Sequence, residues 1–158
     1  MNHHGKIDWL LHTLELQNPL FIHPSDGPGS ITASEKLVGS RNYRTWRRSM
    51  EMSLATKRKP AFVQGTLIRP SDDPIKAEQW DTCNNMIIAW IMNCVSDTIG
   101  RSILYIQSAR EIWLQLEKRF CLSNGSLSIS WIKKCMQSNR MIVLLVNIIQ
   151  GSRVYGKN

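Results

Sequence analysis

Apolar side chains take up a helical spacing near residue 40. Large apolar residues follow one another there at intervals of three, four and four positions: Tyr43, Trp46, Met50 and Leu54. This spacing places all of them on one face of a helix, because an α-helix turns once in about 3.6 residues. Asn42 precedes the stripe and is a good N-cap. Pro60 is predicted to stop this helix, because it has no backbone N–H and its ring clashes with the preceding turn.

A further helix is predicted from Pro74. Asp73 suits the N-cap, and proline suits the first helical position. The stretch Met86–Met92 is apolar on every face, so this helix should be the central and most buried one. Residues 61–70, which precede it, are expected to form a connector pinned to the core.

Shorter helices complete the pattern. Ser96 and Asp97 start the first of these, and its apolar side chains are expected to face inward: Ile99, Ile103 and Leu104. Ser108 and Glu111 form a capping box at the start of the next. Its apolar face carries Ile112, Trp113, Leu116 and Phe120. This helix is predicted to end near Cys121.

The flanking segments follow other patterns. Residues 1–17 carry apolar side chains at helical spacing; a partner-binding helix and a frayed terminal segment are both open, with the frayed segment favoured. Residues 18–40 are dense in turn-forming residues. Residues 126–158 lack Asp and Glu and hold a β-branched apolar stretch, Met141–Ile149, without a partner. We expect this tail to pack poorly and to favour aggregation, so its removal after Asn124 should change stability by less than about 1 kcal/mol.

Together these elements predict a mainly α protein. A small bundle of four or five helices occupies residues 41–125, and a short extended or hairpin arm precedes it over residues 18–40. The core is expected to bury four aromatic side chains together: Trp46, Trp90, Trp113 and Phe120. A chain of 158 residues, 42% of them hydrophobic, is long enough for one domain with a real core and too short for two ordinary ones.

The charge balance is basic. Lys and Arg number 20 against 12 Asp and Glu, for a net charge of +8. Such an excess attracts polyanions such as nucleic acid, although many small basic domains carry it for solubility alone. The basic residues concentrate in and just after the first helix, off its apolar stripe: Arg41, Arg44, Arg47, Arg48, Lys57, Arg58 and Lys59. Two interpretations stay open, a solvated helix face, which we favour, and a face that contacts RNA phosphates weakly and without sequence preference.

The chain shows none of the patterns of several other functional classes. Its cysteines and histidines do not have metal-ligand spacing, and it has no catalytic arrangement and no phosphate loop. We therefore expect no metal, cofactor, catalytic residue or small-molecule substrate. The longest apolar run, Met141–Val146, is far shorter than the roughly 20 residues that cross a bilayer, and no secretory signal begins the chain. An intracellular, cytoplasmic protein without a membrane partner is expected.

Separate elements between residues 18 and 125, in the right order, resemble the Gag proteins of Copia-type LTR retrotransposons. Residues 18–29 are similar to the family's opening, an aliphatic residue followed by His-x-x-Asp-x-Pro-Gly. Residues 39–46 are similar to its Gly-x-x-Asn-Tyr-x-x-Trp element, and tryptophan-bearing helices follow. The resemblance marks these residues as a structural signature: His23, Asp26, Pro28, Gly29, Gly39, Asn42, Tyr43, Trp46, Trp90 and Trp113.

The resemblance implies a structural assembly module and not an enzyme. Gag proteins coat the RNA of the element and multimerise into particles, and this family is especially abundant in plant genomes. Family members continue with further helices and a zinc knuckle that this chain does not have, so we expect a truncated Gag segment whose tail is frameshifted. RNA binding then depends on the basic helix, and self-association is the other expected interaction. The alternative is a host-adapted small basic domain that binds nucleic acid or protein.

Overall fold

The computed structural model describes residues 17–121. Within that range the chain forms helices and no strand, which confirms the mainly α prediction: α1 (Ser40–Thr56), α2 (Pro60–Gln64), α3 (Pro74–Asn93), α4 (Asp97–Ile103) and α5 (Ala109–Cys121). The expectations for an N-terminal helix and for a poorly packed, frameshifted tail fall on residues 1–16 and 122–158, which lie outside the described residues.

The first helix begins three residues earlier than the N-cap prediction placed it. Gly39 is the N-cap, and Asn42 lies inside the helix. The Asn42 side chain still caps the start: its Oδ1 accepts from the backbone N–H of Val38 (3.1 Å) and of Gly39 (3.3 Å). Its Nδ2 donates to the carbonyl of Lys36 at 2.8 Å. Asn42 therefore joins the incoming chain to the first turn, a role that the prediction of an ordinary N-cap missed.

The prediction that Pro60 stops the first helix was also wrong. Helix α1 ends at Thr56, and Arg58 adopts a left-handed φ of 56°. Pro60 then starts α2, because a proline at the first helical position lacks only an N–H that would have no partner inside the helix. The segment predicted as a connector is therefore partly helical, and it buries Phe62 and Val63.

The later helices start where they were predicted to start, at Pro74, Asp97 and Ala109. The predicted end of the last helix near Cys121 stays a prediction, because the described residues end there. The Asp73 side chain accepts from the backbone N–H groups of Ile75 and Lys76, each at 3.1 Å, so the predicted N-cap of α3 is confirmed. The prediction that Leu104 faces inward is wrong, because this residue is 56% exposed. Helix α4 ends at Ile103, and one more residue turns the side chain by about 100°, away from the core.

The predicted aromatic core is confirmed, with one difference. Trp46, Trp90, Trp113 and Phe120 are all buried in one hydrophobic cluster. The ring centroids of Trp46 and Trp113 lie 5.8 Å apart, and those of Tyr43 and Phe120 lie 6.0 Å apart. These contacts pack α1 against α5. Trp90 instead directs its indole N–H away from them, to the carbonyl of Gly27 at 2.7 Å.

The segment before α1 is extended and rich in turns. Residues 18–36 form no strand pair, so the hairpin alternative is wrong and the extended alternative describes the arm. Leu37 makes an isolated parallel bridge with Val95, in which its N–H donates to the Cys94 carbonyl and its carbonyl accepts from Ser96, both at 2.9 Å. This bridge fixes the entry to α1 against the end of α3.

Trp90 provides the test of the core. Trp90→Ala is expected to lower the free energy of unfolding by about 3–5 kcal/mol, because it removes a fully buried side chain and leaves a cavity. Urea unfolding followed by circular dichroism measures the change. Tyr105→Ala is the control, since Tyr105 is 89% exposed and its loss should change stability by less than about 0.5 kcal/mol. Equal, small effects of both variants would contradict this packing.

Candidate nucleic-acid interface

Helix α1 presents a basic face to solvent. Arg41, Arg44 and Arg48 are exposed and are separated by three and four residues. At this spacing they fall within about 60° of arc and span about 10 Å of helix length. The face lies opposite the buried stripe of Tyr43 and Met50. We call these three arginines the outer arginine face; its guanidinium groups can each meet a phosphate.

Arg47 does not belong to this face, so its predicted solvent exposure is wrong. It is 7% exposed and donates to Glu117 on α5, to Glu51 at 2.9 Å and to the Tyr43 hydroxyl at 3.5 Å. Its guanidinium also lies 5.7 Å from the centre of the Trp113 ring. Arg47 is therefore committed to the packing of α1 on α5 and is not available to a phosphate.

Glu117 is the partner that sequence reasoning missed. It is 3% exposed and lies on the apolar face of α5, four residues after Trp113. Its Oε2 is buried without a hydrogen-bond partner among residues 17–121, so the carboxylate depends on Arg47 for compensation. An acid on an apolar helix face is a local signal of a buried ion pair. The sequence does not indicate which base, 70 residues away, would meet it.

Lys59 is the second predicted basic contact that turns inward. Lys59 is 1% exposed, and its Nζ donates to the carbonyls of Pro19 (2.8 Å) and Phe21 (2.5 Å). Burial lowers the pKa of Lys59, and the nearby Cys83 and Asp26 offset this only in part. The lysine therefore holds the arm instead of facing a polyanion.

Lys57 and Arg58 also differ from each other, because Lys57 pairs with an acid of the arm and Arg58 is exposed. Lys57 Nζ lies 2.6 Å from Asp26 Oδ1, and the Asp26 side chain is only 4% exposed. Burial alone would raise the pKa of Asp26, but the hydrogen bonds from Lys57 and from the His23 N–H outweigh it, so that pKa is lowered. The charge of Lys57 is thus largely compensated. Arg58 is exposed, two residues beyond the end of α1.

The signature residues of the arm serve its turns. The His23 N–H donates to Asp26 Oδ2 at 3.1 Å, and the His23 ring Nδ1 lies 2.7 Å from the Ser25 hydroxyl. The carbonyl of Pro28 accepts from Asn93 on α3. A side chain added at Gly29 or at Gly39 would meet no atom within 4 Å, so the described structure offers no steric reason for glycine at either position.

The described residues carry no sign of a metal site. No three His, Cys, Asp or Glu side chains meet in a metal-binding group within residues 17–121. None of the helices in that range combines the length and the apolarity that a membrane crossing requires.

Arg47 and Glu117 can be tested as a buried pair. Arg47→Ala is expected to lower the free energy of unfolding by about 3–5 kcal/mol, because Glu117 would be left charged and uncompensated in the core. Denaturant unfolding measures this loss. Arg48→Ala, one position further along α1 and exposed, should change stability by less than about 0.5 kcal/mol.

The double variant Arg47→Met with Glu117→Leu distinguishes charge compensation from simple packing. It should lose less stability than the sum of the two single changes, since neither charge remains unpaired. Additive losses, or an Arg47→Ala loss no larger than that of Arg48→Ala, would contradict the pairing.

Comparison with known proteins places part of this geometry in a family. Residues 23–71 match the family model described as Gag-polypeptide of LTR copia-type. The matched range begins in the turn of the arm and contains all of α1 and α2. No curated protein matches the chain, and no solved structure matches it. The resemblance seen in the sequence is thereby confirmed over residues 23–71, and this part of the chain is a Copia-type Gag region.

Proposed function

We propose that this chain is a Gag-like structural protein that binds RNA through the outer arginine face and associates with further copies of itself. The family of the matched region is structural and non-catalytic. The observation that supports RNA binding is the sorting of basic side chains along α1. Arg47 and Lys59 are buried with protein acceptors, whereas the outer arginine face is directed to solvent on the side opposite the core.

Binding of this kind is weak and tolerant of sequence. Arginines on a single helix face contact phosphates, which carry no base identity, so they position RNA without selecting it. Each phosphate contact releases counterions, and the logarithm of the binding constant then falls with the logarithm of salt concentration by about 0.7 per contact on single strands. Contacts from Arg41, Arg44 and Arg48 together therefore predict a slope component of about −2.

A charge-matched pair of triple variants tests this proposal. Replacing Arg41, Arg44 and Arg48 with Gln should reduce the magnitude of the salt slope by about 2 in fluorescence anisotropy with a labelled single-stranded RNA. The control replaces three other exposed cations with Gln, namely Lys76, Arg101 and Lys118, and lowers the net charge equally. The control should keep most of the original slope.

The outcomes separate a binding face from a general charge effect. Equal slopes in the two triple variants would show that net charge alone attracts RNA. An absence of RNA binding at low salt would show that the outer arginine face serves solubility only. Either result would overturn the proposal for RNA, while circular dichroism of each variant checks that the helices are intact.

A further inference from the structure

The first part of the arm, residues 18–33, is held on the helices mainly through its own backbone carbonyls. In the following paragraphs the arm means these residues. Lys59 Nζ donates to the carbonyls of Pro19 and Phe21, at 2.8 and 2.5 Å. The thiol of Cys83 on α3 donates to the carbonyl between them, that of Leu20, at 3.4 Å. The carbonyls of three successive residues in a turn, which the Phe21 N–H closes onto the Asn18 carbonyl at 3.0 Å, therefore accept from buried side chains of two different segments.

The second half of the arm is held in the same manner by the end of α3. Trp90 Nε1 donates to the Gly27 carbonyl at 2.7 Å, and Asn93 Nδ2 donates to the Pro28 carbonyl at 2.6 Å. The thiol of Cys94 lies 3.7 Å from the Ile31 carbonyl. We call the surface formed by the five donor residues the arm groove: Lys59, Cys83, Trp90, Asn93 and Cys94.

Side chains of the arm add two apolar anchors and one charge pair. Leu20 and Ile31 are buried in the core cluster at 8% and 2% exposure. Asp26 pairs with Lys57 at 2.6 Å, in a site where the carboxylate is 4% exposed. The arm groove therefore accommodates a peptide folded into successive turns, with apolar residues at its two ends and an acid between them.

The arm contacts the helices only through residues that are distant in the chain. Its side-chain contacts join residues that are 31 to 65 positions apart. It is connected to Leu37, which is bridged to Val95, only through a short link in which Ser34 and Glu35 are exposed. An arm supplied by a second copy would make the same hydrogen bonds, because none of them depends on that link.

We propose that two copies of this chain exchange arms, so that residues 18–33 of each copy occupy the arm groove of the other. The partner is a second copy because the arm already supplies the peptide that the groove accommodates, including its acid at the position facing Lys57. A short link favours exchange, since closing the arm onto its own body constrains the link, whereas crossing to another body does not. This inference rests on the self-association in the proposed function and names its structural route.

A charge-exchange pair of variants gives the test. In the Asp26→Lys chain a base faces Lys57, and in the Lys57→Asp chain an acid faces Asp26, so each closed monomer contains a like-charge contact. In an arm-exchanged heterodimer of the two, both grooves again contain one acid and one base. Refolding the two variants together, free of RNA, should give roughly tenfold more dimer than either variant refolded alone. Light scattering coupled to size-exclusion chromatography measures the dimer fraction.

Further variants serve as controls. The double variant Asp26→Lys with Lys57→Asp restores the pair within one chain and should lose the advantage of mixing. Inserting a flexible Gly-Ser-Gly-Ser segment between Ser34 and Glu35 should favour the closed monomer, and deleting these two residues should favour the dimer.

Each outcome decides the proposal. More dimer in the mixture, together with the predicted order of the link variants, supports arm exchange. An equal dimer fraction in every sample would overturn arm exchange and assign self-association to another surface. Monomers in every sample, the mixture included, would overturn arm exchange and also show that the chain does not self-associate without RNA.

Discussion

A buried cation loses its hydrogen bonds to water, and acceptors in the protein must replace them. This requirement determines how the elements around α1 pack. Arg47 meets it through Glu117, Glu51 and the Tyr43 hydroxyl, which binds α1 to α5. Lys59 meets it through the carbonyls of Pro19 and Phe21, which binds the arm to the segment after α1. Both cations are buried. The contact of Arg47 with Glu117 and the contacts of Lys59 with the arm join elements that are distant in the chain.

The same requirement separates structural from functional charge. Of the basic residues clustered in and after α1, those with buried protein acceptors hold the fold together, and those without burial are left for the solvent side. The helix that carries the outer arginine face is packed on its opposite side against α5 through aromatic rings. In the proposed function this exposed face contacts the phosphates of RNA. In the proposed arm exchange, the arm that is fastened here through its backbone carbonyls contacts a second copy of the chain.

Features set by local spacing were predictable from the sequence. The apolar stripe of α1 and the Asp73 cap of α3 both follow from residues within a few positions of one another, and both are found in the structure. The burial of Arg47 and Lys59 was not predictable, because Glu117 and the arm carbonyls that compensate them lie 70 and about 40 residues away, and no spacing rule connects residues so far apart. The inward prediction for Leu104 failed for a third reason, since this residue lies one position beyond the end of α4 and that step turns its side chain by about 100°, away from the core. The three residues of the outer arginine face were therefore among the basic residues predicted to contact RNA, but only their exposure in the structure distinguished them from the buried Arg47 and Lys59.

Residue-resolved chemical modification tests the central claim. This claim is that some basic residues are buried and hold the fold together, whereas others are exposed and bind RNA. A dicarbonyl reagent modifies accessible arginines, an acylating reagent modifies accessible lysines, and mass spectrometry measures the rate at each residue with and without single-stranded RNA. The account predicts that Arg47 and Lys59 react slowly in both conditions, and that Arg41, Arg44 and Arg48 react rapidly without RNA and are protected by it. Rapid reaction of Arg47 and Lys59 in the free protein, or unchanged rates on the outer arginine face when RNA is added, would contradict it.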